Sequence, residues 1–153
     1  MRDFEKISFE QFSKDVKPDK ALYESYSLPR RDSKATAGYD FYLLEDIELK
    51  PDEIIKLPTG VKAHYEDDEV LFLIIRSSMG FKYSIKLVNQ VGVIDADYYN
   101  NKDNEGHIFV KIQNEGTDTV KFNAGDHLAQ GIFLNFLKTD SDKNIELERT
   151  SNY

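Results

Sequence analysis

Three short segments hold residues whose types and spacing could do chemistry. Arg76-Ser77-Ser78-Met79-Gly80 follows the apolar run Val70–Ile75. A guanidinium, two hydroxyls and a glycine that lets the backbone come close can hold an anion. The plainer reading of the same pentapeptide is a polar turn. Lys82 and Lys86 follow, with no acidic residue between Arg76 and Asp95. Next, Gly92-Val93-Ile94-Asp95-Ala96-Asp97-Tyr98 reads as a short apolar strand entering an acidic turn. A carboxylate at that point could act as a general base toward water. Alternatively, this is a hairpin whose Asp side chains bond their own backbone. The third segment, Gly125-Asp126-His127-Leu128-Ala129-Gln130, reads as a turn into the last long strand and is silent by itself.

Other chemistries find no foothold. The 153 residues include no cysteine, which excludes disulfides, thiolate zinc sites, iron–sulfur clusters and a cysteine nucleophile. There is no glycine-rich phosphate loop, no dinucleotide fingerprint and no nucleophile elbow. The acidic stretch from Asp95 fails as a calcium loop, because its sixth position is Asn100 and its twelfth is Gly106. His64, His107 and His127 are spaced too widely to suggest a metal pair, and each is expected to be a surface or strand residue.

Composition sets the frame. The chain has one domain's length, with 40% hydrophobic and 31% charged residues, a mixture that suits a folded domain and disfavours disorder. Lys and Arg number 20 against 28 Asp and Glu, a net charge of -8. The charge is uneven: +1 over residues 1–39, -7 over 40–69 and -2 over 70–153. Such a balance argues against a general nucleic-acid partner. Any phosphate must therefore be handled locally, with help from a metal ion. No apolar run reaches the length of a membrane span, and the N-terminus lacks the apolar region of a secretory signal. A cytoplasmic protein with no membrane partner is expected.

The elements that must position these residues are short. Ser8 with Gln11 resembles a capping box, and Ile7 with Phe12 a hydrophobic staple, so a helix is expected before Pro18. A second helical turn fits Asp19–Tyr26. From Ala37 onward the pattern is one of strands: Glu53–Leu57, Val61–His64, Val70–Arg76, Ser84–Val88, His107–Gln113, Thr119–Phe122 and Gly131–Leu137. Pro, Gly, Asp and Asn punctuate them, as in an all-β sandwich or barrel.

Taken together and in order, the segments resemble the trimeric dUTPase family. Ala37-Gly38-Tyr39-Asp40 resembles its first motif, Arg76–Gly80 the second, Gly92–Tyr98 the third and Gly125–Gln130 the fourth. The stretch from Val91 to Phe109 is similar to the dUTPases of low-GC Gram-positive bacteria and their phages. The resemblance implies an all-β, β-clip or jelly-roll barrel with a short helical N-terminal segment. It also implies a homotrimer with active sites at subunit junctions, and hydrolysis of dUTP to dUMP and pyrophosphate with Mg²⁺. Asp95 would activate the attacking water, and Tyr98 would pack against the deoxyribose, leaving no room for a 2′-hydroxyl. Asn89 and the backbone of Val93 and Ile94 would read the uracil edge. Arg76, Ser77, Ser78, Gly80, Gln130 and Arg149 would face the substrate, chiefly its phosphates. Asp40 would organise the metal's water shell.

The sequence departs from the family pattern in three places. His127 stands where the fourth motif usually carries Arg, and Asn100 where the third is followed by Gly. The packing around His127 should change, while Asn100 can keep the turn by tolerating positive φ. The fifth motif begins plausibly at Arg149, but its Gly- and Phe-rich continuation is missing, which implies a truncated lid and reduced turnover. The division expected is therefore an extension over 1–27, a β domain over 28–138 and a polar tail over 139–153. The alternative function is a non-catalytic, nucleotide-switched regulator that binds a protein partner, as in a virus. A dCTP deaminase, which would share the fold, lacks its Glu base here.

Overall fold

The computed structural model describes residues 1–142 and Arg149. The lid expectation falls on residues 143–148 and 150–153 apart from that arginine, and lies outside the described residues.

Strand β1 (Asp3–Lys6) opens the chain and leads into α1 (Phe9–Asp15) and α2 (Lys20–Ser25). Then come β2 (Arg30–Arg31), β3 (Tyr39–Tyr42), β4 (Ile47–Leu49), β5 (Ile54–Pro58), β6 (Val61–His64) and β7 (Glu69–Ile75). Helix α3 (Ser77–Tyr83) interrupts the strands before β8 (Ile85–Leu87) and β9 (Val91–Asp95), and a 3₁₀ turn follows at Ala96–Tyr98. The last strands are β10 (Phe109–Asn114), β11 (Val120–Phe122) and β12 (His127–Asn135). Every pairing is antiparallel. The largest sheet runs β2-β3-β12-β7-β9, and smaller sheets pair β5-β10-β8, β11-β4 and β1-β6. The protein is mostly β with a few short helices, the expected class.

Alternation builds the core. On β10, Val110 and Ile112 point inward while Lys111 points out, and on β11 Val120 and Phe122 flank exposed Lys121. Phe41, Leu49, Leu71, Ile85, Ile108 and Leu128 are fully enclosed. At Gly131 on β12 a Cβ atom would lie 2.9 Å from Leu71 Cδ1 and 3.0 Å from Phe41 Cε1, so the two neighbouring side chains occupy that space.

Residues 1–27 brace the barrel. Strand β1 pairs with β6, Asp3 opposite His64, and Phe4 is buried in the main core. Ser8 caps α1 by accepting from the Gln11 N–H at 3.1 Å, and Ile7 and Phe12 share a small core with Leu44, as the staple predicts. The reciprocal half of the capping box is absent. Gln11 Nε2 donates to Asp15, and the Ser8 N–H donates to Glu105 instead. Helix α1 stops before Pro18, and the turn expected at 19–26 is α2, capped by Asp19.

One histidine departs from expectation. His64 and His127 are strand residues, but His107 has no exposed surface and lies just before β10. Its Nε2 accepts from the Gly60 N–H at 2.9 Å, so the ring proton resides on Nδ1, 2.6 Å from Asp15 Oδ2. Burial pushes its pKa below the usual 6.5, with Asp15 and Glu105 pulling the other way and Lys56 adding to the fall. The unfolded chain therefore takes up this proton first as pH drops. The stability tied to neutral His107 is complete above about pH 6.5 and is lost as pH falls below it, at up to about 1.4 kcal/mol per pH unit. Thermal melts from pH 7.5 to 5.5 should show this decline, and His107→Gln should flatten it; an equal slope in the variant would refute the assignment.

Candidate active site

Strand β7 positions both halves of the site. Its exit carries Arg76, and its entry lies beside Asp95. At the exit, Arg76 caps the start of α3 by backbone alone, with Met79 N–H donating to its carbonyl at 3.0 Å. The second motif is thus the first turn of a helix, where a strand end or polar turn was expected. Helix α3 leaves Ser77 and Ser78 exposed, buries Met79 and places Gly80 one turn in. Next to Arg76 stands Asp40 on β3, with its Oδ1 3.7 Å from Arg76 Nε and its Oδ2 3.8 Å from His127 Nδ1. Gln130 on β12 lies opposite Asp40 on one side and Ile74 on the other. Burial raises the Asp40 pKa, Arg76 draws it down and Asp32 adds to the rise. The fourth-motif histidine packs edge-on against Tyr42, ring centroids 5.2 Å apart.

The other half sits along β9. Asn89 forms the turn between β8 and β9, and its carbonyl accepts from the Val91 N–H at 2.7 Å. A groove of about 390 Å³ opens beside it, lined by Asn89, Gly92, Val93, Ile94, Phe109 and Lys111 among others. That volume is within the range of small-molecule sites. Val93 is exposed at the groove while Ile94 is buried, its carbonyl accepting from the Tyr65 hydroxyl. Burial raises the Tyr65 pKa, and the Asp95 charge raises it further, so this hydroxyl stays a donor.

At the end of β9, Asp95 precedes the 3₁₀ turn but makes no side-chain capping bond to it. Its carboxylate is 58% exposed, and Arg149 Nη1 reaches both Asp95 Oδ2 at 3.2 Å and Asp97 Oδ1 at 2.8 Å. The same guanidinium lies 5.3 Å from the centre of the Tyr98 ring. Tyr98 is buried and its hydroxyl is held twice, donating to the His107 carbonyl at 2.6 Å and accepting from Asn104 Nδ2 at 2.7 Å. Asn100 adopts φ 55°, so the turn survives without glycine.

The structure thus brings Asp40, Arg76, Ser77, Ser78, Gly80 and Gln130 to one end of the large sheet. Asp95, Tyr98 and Arg149 lie at the other end, and the groove with Asn89, Val93 and Ile94 runs along β9 with Phe109 and Lys111 of β10 also lining it. Register separates Arg76 from Asp95. Asp95 pairs with Val70, six residues before Arg76, about 20 Å along an extended strand. Within one chain the two cannot meet on one small ligand. Sequence reading missed Tyr65, Asn104 and His107, whose tie to the site is a backbone carbonyl or amide contact that no residue pattern encodes. Among the described residues no three His, Asp or Glu side chains gather as a metal cage.

The dUTPase family matches residues 24–153 of this chain. Deoxyuridine 5'-triphosphate nucleotidohydrolase from Lactococcus lactis is 43% identical over 122 residues, covering 80% of this chain and 81% of that protein. The crystal structure of dUTPase from Streptococcus mutans superposes with a TM-score of 0.73 at 42% identity, over 90% of this chain and 98% of that one. A phage phi11 dUTPase of S. aureus, described with a structural Mg(II) ion, shares the fold at TM-score 0.69 and 21% identity, over 96% and 97% of the two chains. The chain belongs to the dUTPase family.

The 98–107 loop depends on one glycine. Gly106 has φ 87°, and a Cβ there would lie 2.9 Å from the Asn100 nitrogen and the Tyr98 carbonyl oxygen. Gly106→Ala should destabilise the fold by about 2–3 kcal/mol, measured by denaturant unfolding, because both the φ and the backbone crowding oppose the methyl group.

Proposed function

We propose that this chain hydrolyses dUTP to dUMP and pyrophosphate with Mg²⁺, as a homotrimer whose sites lie between protomers. The observation that carries the reading is the exposed, uncapped Asp95 carboxylate next to the fixed ring of Tyr98. A base toward water must be accessible and oriented, and this one is both. Asp95 accepts a proton from a water molecule as that water's oxygen attacks the α-phosphorus. The bond from the α-phosphorus to the bridging oxygen breaks, and pyrophosphate leaves.

Tyr98 cannot swing aside, because His107 and Asn104 hold its hydroxyl. A sugar laid against it meets a rigid wall with no space for a 2′-hydroxyl. The groove beside Asn89 suits a pyrimidine, with the amide reading the edge where uracil and cytosine differ. A site built to pair that edge rejects cytosine by leaving buried groups unpaired. Arg76, Ser77, Ser78, Gly80 and Gln130 take the phosphates, and Arg149 is a further cation for them.

Mg²⁺ fits the donors present. The Asp40 oxygens stand 3.7–3.8 Å from Arg76 and His127, longer than a hydrogen bond, so neither partner claims the carboxylate outright. Asp40 would hold the hydrated ion, which neutralises phosphate charge when bound. The reducing cytoplasm suits a chain without cysteine, and among the described residues no helix is long and apolar enough to cross a membrane.

Asp95→Asn should abolish release of pyrophosphate from dUTP while leaving dUTP binding, read by calorimetry, within about threefold. Retained turnover would remove Asp95 from its role. Arg76→Ala should be as inactive as Asp95→Asn. Mixed and reassembled, the two should regain activity in about a quarter of sites, since each intact site takes Asp95 from one copy and Arg76 from another. A mixture as inactive as its parts would overturn the shared site.

A further inference from the structure

Helix α1 lies far in sequence from Tyr98 yet is fastened to its loop at both ends. At the N-terminal end, the Glu105 carboxylate accepts from the Ser8 N–H at 2.7 Å and the Ser8 hydroxyl at 2.6 Å. The same carboxylate accepts from the nearly buried Lys62 ammonium at 2.9 Å, and that ammonium also donates to Asn100 Oδ1 at 2.8 Å. At the C-terminal end, Asp15 holds the His107 ring, and the His107 carbonyl accepts the Tyr98 hydroxyl. The loop from Tyr98 to His107 is irregular, with positive φ at Asn100, Glu105 and Gly106. Strands β1 and β6 hold it from one side, through Glu5 to the Tyr99 hydroxyl and through Lys62, and α1 holds it from the other.

We propose that α1 is a specificity strut: Asp15 and His107 are positioning residues that fix where the Tyr98 ring stands, and thereby set discrimination between deoxyribose and ribose nucleotides. The proposal rests on the reading of Tyr98 as the wall that meets the sugar. A ring held by two hydrogen bonds excludes one extra oxygen atom only if it cannot recede. Neutral His107 is suited to the task. Its Nδ1–H is committed to Asp15 and its Nε2 to Gly60, so its peptide carbonyl is held in place for Tyr98. Loss of Asp15 frees the ring and lets the carbonyl and the Tyr98 hydroxyl shift together. Small displacements of a positioning group change relative rates more than they change folding.

The test compares kcat/KM for dUTP and UTP in the full chain. Asp15→Ala and His107→Gln should each lower the dUTP-to-UTP ratio by roughly tenfold, mainly through better use of UTP, with kcat for dUTP changed less than about threefold. Asp15→Asn keeps a hydrogen-bonding side chain at that position and should restore most of the ratio. Glu105→Gln, which loosens the other fastening, gives an independent reading if the Asp15 or His107 variants do not fold. Glu10→Gln alters the exposed Glu10–Lys14 pair on the outer face of α1 and should leave the ratio unchanged. Folded Asp15→Ala and Glu105→Gln variants with the original ratio would overturn the strut. Tyr98→Ala separates the two levels. If it too leaves the ratio intact, the sugar-wall reading itself fails; if it collapses the ratio while the strut variants do not, only the strut fails.

Discussion

The constraint on which the rest depends is the register of β7 between β12 and β9. Backbone hydrogen bonds fix Gln130 beside Ile74 and Asp95 beside Val70. That ladder is buried and apolar along Leu71 and Leu73, so a slip of one residue would turn the core side chains outward. The distance between the end proposed to hold anions and the end proposed to activate water is thus a property of the sheet and not of any loop. A site whose halves sit at opposite ends of one rigid strand requires a second copy to bring them together. That geometry asks for more than one copy of the chain, and kinship supplies the number proposed.

The two ends are built differently. Around Asp40 the contacts are long and charge-rich, with a buried carboxylate 3.7–3.8 Å from a guanidinium and an imidazole. Around Tyr98 they are short and mostly neutral, and both bonds to its hydroxyl have fixed partners. This division matches the tasks assigned to them. Phosphate charge is bulky and hydrated, so loose charged partners are enough for it. Distinguishing a sugar by one oxygen atom needs a surface that does not adapt.

Much of the fold was legible in the sequence, because alternation marks strands whose one face is buried. Val61–His64 has the bounds expected, and β5, β7, β8, β10 and β11 lie within a residue or two of theirs. Strand β12 begins four residues earlier than expected, since His127–Gln130 carries mixed residues that gain their pairing only from β3 and β7. Strands β1 to β4 went unrecognised for a related reason. β2 and β4 are two and three residues long, and β1 lies in a segment read as an extension. Helix α3 was hidden because Arg-Ser-Ser-Met-Gly reads as a turn until Phe81 and Tyr83 extend it. Of the candidate site, the clusters around Arg76 and Asp95 were legible as motifs. The burial of His107 was not, since only the arrival of Asp15 and Gly60 from distant parts of the chain makes an enclosed imidazole acceptable.

The core reaches into the chemistry at one further point. The middle of β12 runs so close to Phe41 and Leu71 that residue 131 has no room for even a methyl group. A side chain acquired there must displace Leu71 and Phe41, which pack beneath the strand that carries Gln130 one step away. Drift at a position that faces only the core would then bear on the setting of a residue proposed to meet phosphate. In this strand the packing of the interior and the placement of a candidate ligand contact are neighbours in the chain.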